Sequence, residues 1–143
     1  MFNASKLMET NYLLERALDV ESVRRKVISN NIANVDVPHF KRSEVNFESE
    51  LARAVSERAR VDENRVPARM SDERHISFFE TRDVRGVRPR INLDYSTTQR
   101  NDGNNVDVEK EMVDAAKNMM RYNSLVSSIN HNYKMLKMSI KMA

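Results

Sequence analysis

From Val108 onward the chain carries apolar residues at alternating steps of four and three: Val108, Met112, Ala115, Met119, Tyr122, Val126, Ile129, Tyr133, Leu136, Ile140 and Ala143. No polar residue falls on this seam, and no Pro or Gly interrupts the stretch. A heptad pattern held this long marks a helix built to lie in a coiled coil. At about 1.5 Å per residue the helix is on the order of 50 Å long. A chain of 143 residues cannot wrap a helix of that length, so the helix needs a partner along it. Asp107, Glu109, Glu111 and Asp114 crowd its start, and Lys134, Lys137 and Lys141 its end. Both match the helix dipole, and Asp107 is the candidate N-cap.

The first partner is at the other end of the chain. Between Ser5 and Asn34, Leu13, Ala17, Val20, Val27 and Ile28 fall on one side at helical spacing, widened by Leu14, Leu18 and Ile32. Glu15, Arg16, Asp19, Ser22 and Lys26 take the opposite side. Arg24 sits inside the apolar arc, which predicts that its stem lies along apolar surface with its head in solvent or paired to Glu21. The helix is expected to stop in Asn30-Asn31-Ile32-Ala33-Asn34, since Asn tolerates the left-handed conformation of a C-cap. Pro38 biases Val37 toward an extended conformation. The segment from Phe40 to Phe47 then reads as an extended arm.

A short helix is expected from Phe47 to about Arg60. The stretch from Arg53 to Arg100 holds eleven Arg and eight acidic residues, interleaved. Short apolar groups between Arg69 and Asp94, broken by Gly86 and Pro89, read as weak strands or an irregular arm. Asn101-Asp102-Gly103-Asn104-Asn105 is a turn cluster leading into the C-terminal helix. The expected fold is mainly α. Residues 1–34 and 105–143 form an antiparallel coiled-coil pair, and 35–104 form an inserted arm with an irregular or weakly β character.

One partner does not cover the last helix. Met135, Met138 and Met142 share a side well away from Tyr133, Leu136 and Ile140. Two readings stand: a greasy helix end, since Met is a tolerant gap-filler, or a face that meets neighbouring subunits.

Little in the chain points to catalysis. It has no Cys, which excludes a thiolate metal site, a disulfide scaffold and a Cys nucleophile. His39, His75 and His131 lie in three separate segments without ligand spacing. Asp72 with Glu73, and Glu80 with Asp83, sit in the charged middle and read as solvated ion pairs. No nucleophile elbow, P-loop or dinucleotide fingerprint is present. No cofactor or metal is expected. The interleaved acids and the lack of an aromatic platform argue against nucleic acid as a partner. No run approaches about 18 consecutive apolar residues, so no transmembrane segment is expected. Residues 1–9 lack the pattern of a cleaved secretory signal. The chain is therefore expected to remain in the cytoplasm or to leave by a route that cleaves nothing.

Two motifs carry a resemblance. Asn30-Asn31-Ile32-Ala33-Asn34, followed by Pro38, Phe40 and Lys41, resembles the N-terminal signature of the bacterial flagellar rod and hook proteins, which reads N-N-I-A-N-x-x-T-P-G-Y-K. Val37 stands for the Thr, His39 for the Gly and Phe40 for the Tyr. His39 implies that the chain does without an unrestricted backbone at that point. The second motif, Asp102-Gly103-Asn104-Asn105-Val106-Asp107-Val108-Glu109-Lys110-Glu111-Met112, is similar to a run found in the short, proximal-rod members of that family. Arg74-His75-Ile76 resembles a third landmark.

The resemblance implies a non-catalytic structural subunit of the basal-body rod, which crosses the periplasm as a drive shaft. It implies polymerisation through the terminal helices and export by the flagellar type III apparatus without a cleaved signal. Its implied partners are copies of itself, other rod proteins, the export apparatus and the membrane-ring or junction proteins at the rod base. The residues expected to carry helix packing and assembly are Leu13, Ala17, Val20, Val27, Met119, Tyr122, Val126, Ile129, Tyr133, Leu136 and Ile140, with Met135, Met138 and Met142. The alternative reading is a cytoplasmic coiled-coil adaptor or regulator.

Overall fold

A computed structural model describes residues 4–63, 84–95 and 100–141. Two compact units make up the chain: Met1–Val45 with Ile91–Ala143, and Asn46–Arg90. The first unit is dominated by two long helices, α1 (Ala4–Ala33) and α3 (Val108–Lys141), which pack on each other. Their direction follows from three side-chain contacts. Asn132 meets Asn11, Asn118 meets Glu21, and Glu111 meets Asn31. Positions rise along α1 as they fall along α3, so the pair is antiparallel.

The caps are local and physical. Asp107 Oδ1 accepts from the backbone N–H of Glu109 at 2.9 Å and of Lys110 at 3.3 Å, the N-cap expected for α3. At the end of α1 the expected left-handed Asn is not used. The Asn34 N–H reaches back to the carbonyls of Asn30 and Asn31 at 3.2 Å. Its side-chain amide donates to the Asn30 carbonyl at 2.7 Å. The chain then makes consecutive turns, Val37 N–H to Asn34 and Phe40 N–H to Val37. The extended arm therefore begins later than Pro38 suggests, at strand β1 (Ser43–Asn46). It pairs with β2 (Arg90–Leu93) in a two-stranded sheet.

In the second unit, α2 spans Glu48–Glu63, ending three residues beyond the Arg60 that the sequence pattern suggests. Glu48 and Glu50 lie in its first turn, where the dipole favours acid. Phe47 and Ala54 are buried. A 3-10 turn covers Val84–Gly86. The expected apolar groups at Ile76, Phe78 and Phe79, the landmark Arg74-His75-Ile76, and the acidic pairs 72–73 and 80–83 lie outside the described residues.

Among the described residues, the buried apolar residues of the first unit are few: Val20, Val27, Ile28, Val106 and Ile129. Each such side chain contributes roughly 1.5–3 kcal/mol when fully buried. The face of α3 turned to α1 is not the uninterrupted apolar seam of the sequence. It combines Ala115, Ile129 and Leu136 with a row one step to the side: Glu111, Asn118, Leu125 and Asn132. Glu111 and Asn118 are buried and polar. Asn118 Nδ2 donates to the Glu21 backbone carbonyl at 3.0 Å and to the Glu21 carboxylate, which also holds Arg24. The Arg24–Glu21 pair is thus one of the two placements the sequence allows.

Replacing Asn118 by Leu keeps the volume but removes the donor facing buried Glu21. The expected loss is about 1–3 kcal/mol, read as a lowered midpoint in urea unfolding followed by circular dichroism.

Candidate functional site

The two sequence motifs meet in space. Asn31, at the end of α1, is fully buried. Its Oδ1 accepts from the Ser43 N–H at 3.0 Å, and its Nδ2 donates to the Ser43 carbonyl at 2.9 Å. A side-chain amide thereby completes the backbone pairing of β1's first residue. The same Nδ2 donates to Glu111 Oε2 at 3.2 Å. Glu111 Oε1 accepts from Arg42 Nε. Arg42 is itself buried, pairs with Glu44 and lies 3.5 Å from Asp114. Helix end, strand start and the first turn of α3 are tied by one carboxylate.

Asn104 and Asn105 form the second half of the latch. Asn104 Nδ2 lies 2.9–3.1 Å from the carbonyls of Asn34, Val35 and Val37. Its Oδ1 accepts from the Val106 N–H at 2.8 Å. Asn105 Oδ1 accepts from the Arg42 N–H at 2.7 Å, and its Nδ2 donates to the Asp94 carbonyl at 2.8 Å. Lys41 Nζ donates to the Gly103 carbonyl at 2.8 Å. Arg100 closes the rim, donating to the Val35 carbonyl and to Asp36 Oδ1. A buried amide matches both a carbonyl and an N–H at once, which explains the Asn-rich composition of both motifs. Among the described residues no buried side-chain polar atom lacks a partner.

His39 carries the unusual backbone. Its φ is 61°, in the left-handed region. The position where the family signature has Gly therefore keeps a glycine-like conformation, with His bearing the strain. Its N–H donates to the Asp102 carbonyl at 3.0 Å. Gly103 lies against it with φ 79°, and a Cβ added at Gly103 would stand 2.8 Å from His39 Nδ1. Gly is required there for two reasons, backbone conformation and contact with the imidazole.

The remaining motif residues take ordinary places. Val106 is buried. Ile32, Asn34, Phe40, Lys41, Asp102 and Gly103 are half-buried, and Asn30, Ala33, Pro38 and Met112 are exposed. Of the packing residues, Val20, Val27 and Ile129 are buried, while Leu13, Ala17, Val126 and Leu136 are half-buried. Met119, Tyr122, Tyr133, Met135, Met138 and Ile140 are exposed, and Met142 lies outside the described residues. The Tyr133 hydroxyl donates to Glu15 at 3.2 Å, a bond that raises the phenol above its usual pKa. Sequence reasoning placed Arg42 and Asn105 within the motif runs without a role, took Glu21 only as a partner for Arg24, and passed over Asn118. For Asn118 the available signal was the seven-residue spacing of Glu111, Asn118 and Asn132, polar residues in a row interrupted by Leu125 beside the apolar one.

Both Glu111 oxygens are engaged by Asn31 and Arg42. Among the described residues no group of three His, Cys, Asp or Glu is placed to hold a metal ion. No described helix is long and apolar enough to cross a membrane.

A helical hairpin latched at one end by buried amides and one ion pair is the architecture of a structural scaffold. The chain belongs to the flagellar basal body rod protein family. A sequence model of the family described as "Flagella basal body rod protein" matches residues 12–41, from α1 through the turns to Lys41. The flagellar basal body rod protein FlgB of Borreliella burgdorferi is 39% identical over 126 residues, covering 88% of this chain and 91% of that protein. The FlgB protein of Bacillus subtilis is 36% identical, covering 87% of each chain. That of Escherichia coli is 29% identical, covering 84% of each.

Two substitutions test the latch. Glu111→Ala removes the buried partner of Arg42 and leaves its guanidinium to Glu44 and Asp114, and the expected cost is up to about 3 kcal/mol, measured by thermal unfolding. Gly103→Ala meets both the left-handed strain, about 1–2 kcal/mol, and the imidazole of His39. His39→Gly removes the imidazole and also relieves the left-handed strain that His39 itself bears. The double variant is therefore expected to melt above Gly103→Ala.

Proposed function

We propose that this chain is a structural subunit of the flagellar rod, in its proximal part, that polymerises through its terminal helices into the periplasm-spanning drive shaft. The observation that carries the reading is the apolar surface left on α3 after α1 has packed. Met112, Met119, Tyr133 and Ile140 are exposed on one side, and Met135 and Met138 on another. A helix with apolar residues on more than one side belongs among several neighbours. Repeated head-to-tail contacts between such staves generate an open helical shaft. Family membership supports the same reading.

The partners follow from the role: copies of this chain, other rod proteins, and the membrane-ring and junction proteins at the rod base. The flagellar type III apparatus exports the chain without cleaving a signal. A slender hairpin with few buried apolar residues and no disulfide suits passage through a narrow channel. The chain catalyses no reaction in this role.

Deletion of the gene, followed by imaging of the basal body, is expected to abolish motility and leave no rod above the membrane ring. Normal flagella would exclude the reading, and a cytoplasmic regulatory defect would favour a coiled-coil adaptor. At residue level, Leu136→Asp is expected to disrupt the α1–α3 contact and lower helicity. Met138→Asp should leave the melting curve of the isolated chain within about 0.5 kcal/mol of the parent yet impair rod formation. Equal behaviour of the two variants would remove the distinction between inner and outer faces.

A further inference from the structure

Gly103 follows Asp102, whereas the chain's other glycine, Gly86, follows Arg85. Asp102-Gly103 is therefore the one aspartyl–glycyl bond in the sequence, and no Asn precedes a Gly. Every other Asp stands before Val, Glu, Tyr or Ala. At an Asp-Gly bond no side chain hinders the following nitrogen as it approaches the carboxyl carbon, and the free backbone reaches the ring-closing angle readily. The Gly103 nitrogen attacks Cγ of Asp102, a water leaves, and a five-membered imide forms. Water then reopens the imide at either carbonyl. Opening at the former main-chain carbonyl breaks its bond to the Gly103 nitrogen and yields isoaspartate, with no net gain or loss of atoms.

The fold cannot give this glycine up, because of its φ of 79° and the imidazole of His39 against it. The closed latch occupies the groups that would react. The Gly103 N–H donates to the Arg100 carbonyl at 3.1 Å. Asp102 Oδ1 accepts from the Asn104 N–H at 3.1 Å, and Oδ2 lies 3.5 Å from Arg100 Nε. The Arg100 N–H in turn donates to the Asn104 carbonyl at 3.1 Å, so the loop from Arg100 to Asn104 is closed on itself. Ring closure requires the nitrogen to give up its proton and the carboxyl to turn onto it, so these bonds must open first. A reaction that needs a local opening runs only in the fraction of time the site is open.

We propose that Asp102-Gly103 is the site at which this chain isomerises to isoaspartate, exposed to the reaction while the latch is open and protected once it closes. The product cannot rebuild the latch. Its main chain runs through the Asp102 side chain and is longer by one methylene, so Arg100 and Asn104 no longer close the same loop. The carbonyl that accepted the His39 N–H at 3.0 Å becomes a free carboxylate on a branch. Gly103 is displaced, and with it the carbonyl that takes Lys41 Nζ at 2.8 Å. Asn104 follows, and its hold on the carbonyls of Asn34, Val35 and Val37 is lost. A chain that waits unlatched therefore loses the ability to latch. The link to assembly rests on the rod reading above; the site itself does not.

Each passage through the imide takes one oxygen from solvent. Incubation in heavy-oxygen water, followed by trypsin digestion in ordinary water, therefore marks the reacting residue by mass, and chromatography separates isoaspartate from aspartate in the peptide Asn101–Lys110. The purified chain is first held in urea at neutral pH, where the latch is open. Label at Asp102 is expected to exceed that at any other Asp by about tenfold or more. Asp102→Ser keeps a side-chain acceptor for the Asn104 N–H but cannot form the imide, and it is expected to remove the product from that peptide. Uniform labelling of the Asp residues, or none at Asp102, would overturn the proposal. Basal bodies isolated from the source cells are then incubated without urea, with the free peptide Asn101–Lys110 run in both buffers to correct for the effect of urea. Within them Asp102 is expected to label about tenfold or more slowly than in urea, and to hold less isoaspartate on isolation than the unassembled pool of the same cells. Equal labelling would overturn the protection by the latch. Absence of the chain from basal bodies would instead exclude the rod reading, and the urea comparison would still decide the site.

Discussion

The ion pair between Arg42 and Glu111 is the interaction on which the remaining geometry depends. Both groups are buried, and neither charge can be left alone there. The pair fixes the start of β1 against the first turn of α3, while Asn31 brings the end of α1 to the same carboxylate. Its value lies in uniqueness more than in net stability. Desolvating two charges offsets much of their attraction, but an arrangement that separates them is strongly penalised. The end of α1 and the start of β1 therefore have one way to meet the first turn of α3, 69 to 80 positions away.

The same logic continues along the hairpin. An apolar heptad seam alone tolerates a slide of seven residues, because it looks alike after each repeat. The row facing α1 does not. Sliding α3 by one heptad brings either Leu125 or Glu111 to the place of Asn118, opposite buried Glu21. Leu125 offers no hydrogen to the carboxylate, and Glu111 would bring a second negative charge. Asn132 against Asn11 adds a further polar rung at 2.8 Å. Buried polar residues at coiled-coil positions set register in this way. Here they do so for a contact within one chain.

Much of this was legible in the sequence. The two long helices, their antiparallel pairing, the Asp107 cap and the small β element follow from periodicity, breakers and cap chemistry. The heptad spacing was equally clear, but its meaning was not. Hydrophobic periodicity assigns an apolar row to the nearest partner, whereas α1 lies against the neighbouring row with Glu111 and Asn118. Periodicity carries no information about which of two adjacent rows a particular partner takes. That was decided by Asn31, Glu21 and Asn11 on α1, whose side chains need polar counterparts. The latch was half legible. Both motifs were recognisable as stretches, yet nothing local says that Asn104 reaches the turns around Val35 or that Arg42 pairs across 69 positions. His39 shows the limit in the other direction. Its identity argued for a relaxed backbone, but hydrogen bonding to Asp102 and the packing of Gly103 hold it in the left-handed region all the same.

The division of α3 into a mixed inner row and an apolar outer one has a thermodynamic reason. Within the chain, α1 and α3 are already joined, so their pairing loses no translational freedom. It can carry buried Asn and Glu, which add specificity at little net gain. Contact with a separate molecule begins with an association penalty of at least about 4 kcal/mol. Polar groups that merely exchange water for protein do not overcome that cost, but removal of Met, Val, Tyr and Ile from water does. The row that looks best suited to α1 by hydropathy is therefore the one left free for another molecule.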